Sequence, residues 1–517
     1  MLAAMAVLAG ATLPPTGSPT GAPLEILGEA LMMLSDLFDT VLSPEGADHS
    51  TSEGRLQWTH YFAVVAFTSG DDDMVHAVVR TAEIFVDSHD ALRDDPDYID
   101  LAALFEQATG LSINGYMLVM VSLLVKLFAV NAKNAANESA VIPKAYFSDF
   151  SPILRERFLA LAGRDSTRFC EAATETWKPG QLRPLSLLPA EQSPVVHFEE
   201  GSVCLSVRLL EEKLTSGLYH VLLNARPGDE HKKFRARYQR FIGRVFERYV
   251  ERAGRRIAAH LAERSGWHPR ERFDGVPARF ISEQELRNAL NSTSGPTPSF
   301  CDAALVVGQD IILIECKAQF FSLPSRTGEA PEQFFSRLRE IVVDGVRQLN
   351  ETLKLIVAGR LQSLGLRTER IRRVFPVVVS LEELPICADV RAWIDTELAE
   401  ACVMPEARIG PAIVFAPEFF CARDLEWLEA VVEHTNERPG NLIARKHSKA
   451  SWYGVSPATW GHIAKVLPGD RHATLATHHL QRWEKLNDEM RQFFREQTTG
   501  RAGGDQNGDD EANPGGQ

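Results

Sequence analysis

Residues 299–317 read SFCDAALVVGQDIILIECK, with apolar runs on both sides of a central Gly-Gln pair. This pattern predicts a β-hairpin with a two-residue turn. In that register Asp302 lies directly across from Glu315. Two carboxylates that oppose each other at roughly 5 Å on one face of a sheet repel. A divalent cation between them is the arrangement that relieves the repulsion.

Lys317 follows Glu315 by two residues, so the alternation of a strand puts both side chains on the same face and Cys316 on the other. Two acids and a lysine are the groups needed for metal-assisted hydrolysis of a phosphodiester. Two alternatives stay open. Glu315 and Lys317 could form a surface ion pair, worth about 0–1 kcal/mol. A three-residue turn would shift the register and put Asp302 opposite Cys316.

The chain of 517 residues is long enough for two to four domains, and 44% hydrophobic with 24% charged residues is typical of globular proteins. A net charge of −14 does not indicate nucleic-acid binding by itself. Residues 231–272, however, hold 13 Lys and Arg against 4 Asp and Glu. Such a segment can bind a polyanion, or it can be the solvated face of a helix.

Seven cysteines without a CxxC motif argue against a zinc ribbon or a disulfide framework and favour a reducing, cytoplasmic compartment. Residues 1–13 are apolar but carry no basic residue, which makes a poor signal peptide. Residues 113–130 are the most apolar segment, yet Asn114, Ser122 and Lys126 interrupt it. We expect a buried core helix there and no membrane span.

The pattern along the chain predicts five parts. They are a disordered N-terminus at 1–22, a mainly helical domain at 23–225, an α/β domain at 226–430, a helical C-terminal region at 431–498 and a disordered tail at 499–517. In the α/β domain we expect helices at about 229–265, 331–357 and 420–434, and strands at 374–379 and 411–415. Gly243 interrupts the first helix at a cost of up to about 1 kcal/mol, which favours a close packing contact there.

This order of elements resembles the PD-(D/E)xK nuclease superfamily, which has the restriction-endonuclease-like fold. The matching positions are Glu247 on the first helix, Asp302, Glu315-Cys316-Lys317, and Gln348 on the second helix. The resemblance covers roughly residues 229–425, and Cys301 stands where the name-giving proline of the family would be. It implies an α/β core with a central mixed sheet flanked by helices. Outside that core, the residue pattern predicts an N-terminal all-helical domain and a short C-terminal helical region.

The resemblance also implies a Mg²⁺ site, with Mn²⁺ as a substitute. Asp302 and Glu315 are the expected carboxylate ligands, and the Cys316 carbonyl and Glu247 complete the metal set. Glu251, one helical turn later, is the rival of Glu247.

The remaining catalytic assignments are Lys317 and Gln348. Lys317 stabilises negative charge near the scissile phosphate. Gln348 orients a water or contacts phosphate, or else it is an ordinary amide on a helix surface. His478 and His479 are adjacent in sequence and so point to different helix faces, which favours a structural role over metal binding.

Family members cut DNA and less often RNA, so DNA is the expected partner and hydrolysis of its phosphodiester bonds by an endonuclease the expected activity. The candidate contacts to backbone phosphates are Lys232, Lys233, Arg235, Arg237, Arg240 and Arg244. By analogy, a role in bacterial defence or DNA processing, a protein partner on the N-terminal helical domain and a homodimer are further expectations. The alternative is a catalytically inactive binding module on the same fold.

Overall fold

The structure is a computed structural model. It describes residues 51–68, 74–88, 90–132, 141–176, 188–199, 201–226, 228, 231–264, 278–291, 299–327, 330–435, 437–453 and 475–502. The two ends that we expect to be disordered, 1–22 and nearly all of 499–517, lie outside the described residues.

The protein is a mixed α/β protein in which helices predominate. The helices are α1 (Ser52–Thr68), α2 (Met74–Ala82), α3 (Leu101–Thr109), α4 (Ile113–Ala132), α5 (Pro152–Ala162), α6 (Ser166–Thr176), α7 (Leu188–Gln192), α8 (Val207–Glu212), α9 (Leu218–Leu223), α10 (His231–Arg264), α11 (Glu283–Asn291), α12 (Leu323–Arg326), α13 (Pro331–Val357), α14 (Ala388–Glu400), α15 (Ala422–Thr435), α16 (Pro439–Tyr453) and α17 (Thr477–Ala502). The strands are β1 (Val141–Pro143), β2 (Gly163–Asp165), β3 (Val195–His197), β4 (Gly201–Cys204), β5 (Arg279–Ser282), β6 (Ala303–Val307), β7 (Asp310–Lys317), β8 (Arg373–Ser380), β9 (Arg408–Ile409), β10 (Ala412–Val414) and β11 (Glu418–Cys421).

The larger sheet has seven strands in the order β5-β6-β7-β8-β10-β9, with β11 also pairing with β8. Strands β5, β6 and β7 are antiparallel neighbours, whereas β7 and β8 run parallel. The long helix α13 makes the crossover between these two parallel strands, as parallel pairing requires. Strands β10 and β11 both run parallel to β8, β10 beside its start and β11 beside its end. The expected helices and strands of the α/β region are present in the expected order, and the structure adds β5, α11, α12, α14, β9 and β11 between them.

The side chains of the large sheet alternate between two apolar layers. On one face, α13 and α14 cover the sheet, and their buried residues pack with Ile311, Leu313 and Val378. On the other face, α10 lies against Ile312 and Ile314, and α15 packs beside it. A strand that is apolar on both faces is typical of a sheet covered by helices on both sides.

The region before α10 is mostly helical, but the expectation of an all-helical domain is wrong. Strands β1 to β4 form a second, four-stranded sheet in the order β1-β4-β3-β2. The apolar stretch from Val195 supplies β3, which pairs antiparallel with β4 and parallel with β2. Helices α2 to α5, α8 and α9 bury apolar side chains in the layer that also contains α10 and part of α17, with Leu486 among its buried residues. Helix α1 instead packs on α13 and α14.

Helix α4 is a core helix, as its interrupted apolar pattern indicates. Val119, Met120 and Leu123 along it have no exposed surface. Among the described residues, no single helix has the length and apolar composition needed to cross a bilayer. The segments Leu101–Thr109 and Ile113–Leu127 meet those criteria only when they are taken together, and they are bent by 74° relative to each other.

The expected close contact at Gly243 is absent from the described part of the chain. A Cβ built at Gly243 has no atom within 4 Å. The tight approach on α10 is instead at Gly254, where a Cβ would lie 2.2 Å from Cε2 of Phe280 on β5. Helical spacing gives the buried side of α10 but not the residue at which a neighbouring element comes closest.

Candidate functional site

The hairpin of β6 and β7 has the register that the sequence predicts. Val307 pairs with Asp310 across a two-residue turn, and Ala303 pairs with Ile314 at the far end. Gly308 has a φ of 62°, a conformation that glycine adopts without strain. The next step of this register sets Asp302 across from Glu315, so the three-residue turn is excluded.

Asp302 is held at the start of β6 by backbone contacts on both sides. Its Oδ2 accepts a hydrogen bond from the Cys316 amide at 2.7 Å. The amide of Cys301 donates to Oγ1 of Thr352 on α13 at 2.8 Å, which fixes the preceding residue. Burial raises the pKa of Asp302 to about 6, and the charge of Glu283 adds to this effect although the Cys316 amide opposes it.

Glu315 is 2% exposed and binds two polar side chains on the α13 face of the sheet. Lys317 Nζ lies 2.8 Å from Glu315 Oε1. Gln348, with its amide nitrogen turned toward the carboxylate, donates to both oxygens, to Oε2 at 2.7 Å. Burial and the charge of Asp302 raise the pKa of Glu315 well above its usual range. The pKa of Lys317 is raised because the attraction of Glu315 outweighs burial.

Glu247 belongs to α10, which covers the opposite face of the sheet. Its carboxyl is nevertheless close enough to Asp302 and Lys317 for their charges to act on it. Burial, reinforced by Asp302, raises the pKa of Glu247 to about 8. The rival Glu251 is already paired with Arg248 and Arg255, at 2.8 Å in both cases. The structure therefore favours Glu247 over Glu251 as the helical member of the acidic group.

The side chain of Cys316 lies on the face opposite to Glu315, as strand alternation requires. It is half-buried and packs against the apolar layer of α10. Burial raises the pKa of its thiol well above the usual range, so the group stays a neutral thiol. Of this residue only the backbone is suited to bind a hard cation.

The chemistry of this group fits a divalent cation. The carboxyls of Asp302, Glu315 and Glu247 are near enough to one another and to the ammonium of Lys317 for their charges to interact, and each carboxyl has its pKa raised. Carboxylate oxygens are the ligands that Mg²⁺ prefers in proteins. The donors are not gathered into a preformed site, however. Among the described residues, no three His, Cys, Asp or Glu side chains are arranged to hold a metal ion.

An open cleft of about 460 Å³ lies beside the site along α13. Its lining includes Lys317, Gln319, Glu340, Asp344, Arg347 and Gln348. Gln348 and Lys317 thus stand between the cleft and the Glu315 carboxylate. Three of the acidic residues on this side of α13 are paired with a basic residue three positions away, for example Asp344 with Arg347.

The six basic residues expected to contact phosphate fall into two groups on α10. Lys232, Lys233 and Arg235 are exposed at its start. Arg237, Arg240 and Arg244 instead bind a loop of the N-terminal helical region that contains Asp95 and Asp97. The position of these three arginines on α10 agrees with the prediction. Their contacts with Asp95 and Asp97 were not predicted.

Two further residues contribute to the site, and the sequence pattern did not predict either of them. Glu283 begins α11 directly after β5, and its charge raises the pKa of both Asp302 and Glu247. Thr352 holds the backbone next to Asp302 from α13, and its hydroxyl also donates to the Gln348 carbonyl at 3.0 Å. A threonine one helical turn after Gln348 is the kind of signal that could have identified the second.

Comparison of the chain with protein-family models, with curated proteins and with solved structures finds no significant match.

Proposed function

We propose that this protein is a Mg²⁺-dependent nuclease of the restriction-endonuclease-like fold, with DNA as its preferred substrate. The observation that carries the proposal is the convergence of Asp302, Glu315 and Lys317 beside an open cleft. Helix α10, strands β5 to β7, helix α13 and strand β8 follow one another in the order that the resembled family uses.

The side chains have distinct tasks in such a reaction. A bound Mg²⁺ supplies an acidic water and neutralises charge on the phosphate. Asp302 and Glu315 provide the anionic oxygens that hold the cation, with Glu247 at the edge of the group. The Lys317 ammonium, which also lines the cleft, stabilises negative charge as the phosphodiester is attacked. Gln348 is a positioning residue, since it binds both oxygens of Glu315.

A second candidate is a binding module without cleavage. It is favoured by one observation, that Glu315 is already engaged by Lys317 and Gln348 instead of facing the cleft. Catalysis at this site requires Lys317 and Gln348 to release at least one oxygen of Glu315, so that this oxygen can bind a metal ion. A module that only binds nucleic acid has no such requirement.

Cleavage of single- and double-stranded DNA and RNA in Mg²⁺, Mn²⁺ or EDTA separates the two candidates. We expect Mg²⁺-dependent cleavage that Lys317→Ala reduces by at least 100-fold. Lys354→Ala is the matched control, because Lys354 lies on α13 in an exposed ion pair with Glu351. Binding without cleavage by the unaltered chain would favour the module. Cleavage that persists in Lys317→Ala would refute the assigned site.

A further inference from the structure

Helix α10 carries a row of arginines that leads to the candidate site. Arg237, Arg240 and Arg244 are spaced by three and four residues, and Glu247 follows by three more, so all four lie on one side of the helix. From Arg237 to Arg244 the helix rises about 10 Å. That length covers about three nucleotides along one strand of B-DNA.

An acidic loop of the N-terminal helical region covers this row. Arg240 binds Asp97 with two parallel hydrogen bonds, from Nε at 2.9 Å and from Nη2 at 2.8 Å. Arg244 binds Asp95 through Nη1 and reaches Asp97 at 3.4 Å. Arg237 donates to the backbone carbonyls of Asp97, at 3.3 Å, and of Tyr98.

These contacts have the geometry of phosphate recognition. The forked pair between a guanidinium and two oxygens is the arrangement that arginine makes with carboxylate and with phosphate alike. The hydrogen bonds from Arg240 also lower the pKa of Asp97, so its carboxylate is anionic at neutral pH. Two carboxylates thus stand where two backbone phosphates could bind.

The acidic loop is anchored to α10 through Tyr98, whereas the arginines that it contacts remain partly exposed to water. The ring of Tyr98 packs edge-on against Phe241, with 5.6 Å between the ring centroids, and this anchors the loop beside α10. The arginine side chains remain 57% exposed at Arg240 and 36% at Arg244. The carboxylate side chains of Asp97 and Asp95 are less exposed, at 15% and 11%. Because the arginines are open to water and an exposed ion pair is worth only about 0–1 kcal/mol, a polyanion that engages several arginines at once can displace the two carboxylates.

We propose that the arginine row Arg237, Arg240 and Arg244 is the surface that binds the DNA backbone, and that Asp95 and Asp97 occupy it as an internal competitor until DNA displaces them. The inference rests on the proposed function, since it supplies the path by which a DNA strand reaches the site. It also gives the N-terminal helical region a task, the restraint of DNA binding.

Binding of a fluorescein-labelled DNA duplex to the full chain, followed by fluorescence anisotropy in EDTA, tests this inference without any cleavage. Asp95→Asn/Asp97→Asn is expected to bind at least 5-fold more tightly than the unaltered chain. The control Asp165→Asn/Asp488→Asn removes the same charge from two exposed acids that pair with arginines elsewhere. We expect that control to change the affinity less than 2-fold.

Arg240→Ala/Arg244→Ala is expected to weaken binding and to lower the slope of log K against log salt by about 2, because each phosphate contact contributes about 0.9 to that slope. When Asp95→Asn/Asp97→Asn is added to Arg240→Ala/Arg244→Ala, it should not increase the DNA affinity. Asparagine variants that bind no more tightly than the control would overturn the inference and would identify the loop as a plain structural tether. A protein in which no form binds the duplex would overturn it as well.

The outcomes for the two proposals are separable. If Asp95→Asn/Asp97→Asn changes neither the rate of Mg²⁺-dependent cleavage nor the DNA affinity, the two aspartates are not competitors of DNA, and the proposed nuclease function stands. If the asparagine pair binds DNA more tightly and no form cleaves it, the arginine row is supported as the DNA-binding surface and the proposed nuclease function is refuted. Thermal unfolding of each variant shows whether a loss of binding reflects a loss of structure.

Discussion

Gly345 on α13 lies directly against Val378 on β8, so close that a Cβ on Gly345 would come within 2.8 Å of Val378 Cγ2. The same Cβ would lie 3.6 Å from Cε of Lys317. Helix and sheet therefore meet at a point where only a hydrogen atom fits. This contact determines the distance between α13 and the sheet, and therefore the position of Gln348 relative to Glu315.

Gly345→Ala is expected to destabilise the protein by about 1–3 kcal/mol, the usual cost of overpacking. The strain should push α13 away from the sheet and weaken any metal-dependent activity together with stability. Urea unfolding measures the change. The matched control is Gly243→Ala on α10, where the added Cβ meets no atom of the described residues within 4 Å and should stabilise the protein by about 0.4–1 kcal/mol. Equal effects of the two substitutions would contradict the assigned contact.

Asp302→Asn is expected to stabilise the metal-free protein. The substitution keeps an oxygen for the Cys316 amide and removes one of the like charges around Glu315. Thermal unfolding in EDTA should therefore occur at a higher temperature than for the parent chain. Addition of Mg²⁺ should raise the unfolding temperature of the parent and not of the variant, because binding to the native state stabilises it. A parent chain that Mg²⁺ leaves unchanged would count against the metal site.

Arg326 joins the helical N-terminal region to the α/β region from a fully enclosed position. Its guanidinium is 3% exposed and binds Glu382 at 2.7 Å and also Glu212, with Glu191 at 3.8 Å. Arg326→Leu removes this cation from the buried Glu382 and Glu191, whereas Glu212 keeps Arg208 at 3.2 Å. We therefore expect a loss of about 3–5 kcal/mol or a chain that does not fold.

Glu382→Gln provides a milder test of the same cluster. It removes one of the buried charges, and its single amide oxygen can accept from Arg326 or from the Phe321 amide but not from both, because these donors bind different oxygens of Glu382. We expect a smaller loss than for Arg326→Leu, since the guanidinium keeps its other carboxylates. Arg168→Leu is the exposed control, because its side chain is 80% exposed and its pairing with Asp165 is worth about 0–1 kcal/mol. Denaturant unfolding that ranks the three variants differently would contradict this reading of the cluster.

His478 and His479 are expected to respond to pH with opposite signs. Burial lowers the pKa of His479 to about 3, and neither of its ring nitrogens has a hydrogen-bond partner within the described chain. Its neutral form is needed for folding, so stability falls as the pH drops from 6.5 toward 3. His479→Leu should flatten that loss in denaturant unfolding measured from pH 7 to pH 4.

For His478, burial alone favours the neutral ring, but the attraction of the nearby carboxylates of Glu429 and Glu83 outweighs it and raises the pKa. Its nitrogens lie 3.2 Å from Glu429 and 3.5 Å from Glu83. This contribution is complete below pH 6.5 and is lost as the pH rises through the raised pKa. His478→Gln should therefore cost more stability at pH 6 than at pH 9. A larger cost at pH 9 would refute the assignment.

How much the sequence could predict follows from the range of the interactions. The hairpin register is local, because a Gly-Gln turn between two apolar runs fixes which residues pair, and so Asp302 and Glu315 could be matched in advance. Helix α13 was equally readable, since its apolar residues recur at helical spacing over 27 residues.

The rest depends on contacts between distant parts of the chain. The pattern of residues 195–207 predicts a strand or two, and β3 and β4 lie there. Strands β1 and β2 have three residues each, too few for a period, so the rest of the second sheet could not be predicted. Asp97 is separated from Arg240 by 143 residues, and nothing in either neighbourhood points to the other. The orientation of Glu315 toward Gln348 is likewise a result of how α13 crosses the sheet.

Helix α10 has the candidate site on one edge and contributes to the layer that also buries the N-terminal helices, α15 and part of α17. Phe241 and Tyr249 along it are at most 1% exposed, and elements outside residues 229–425 contribute to that enclosure. Tyr98 packs against Phe241, and the hydroxyl of Tyr249 donates to Glu426. A fragment cut to those limits would present this aromatic surface to water. The segment that holds the candidate site therefore depends on the rest of the chain, and trimming the protein to residues 229–425 should yield an insoluble product.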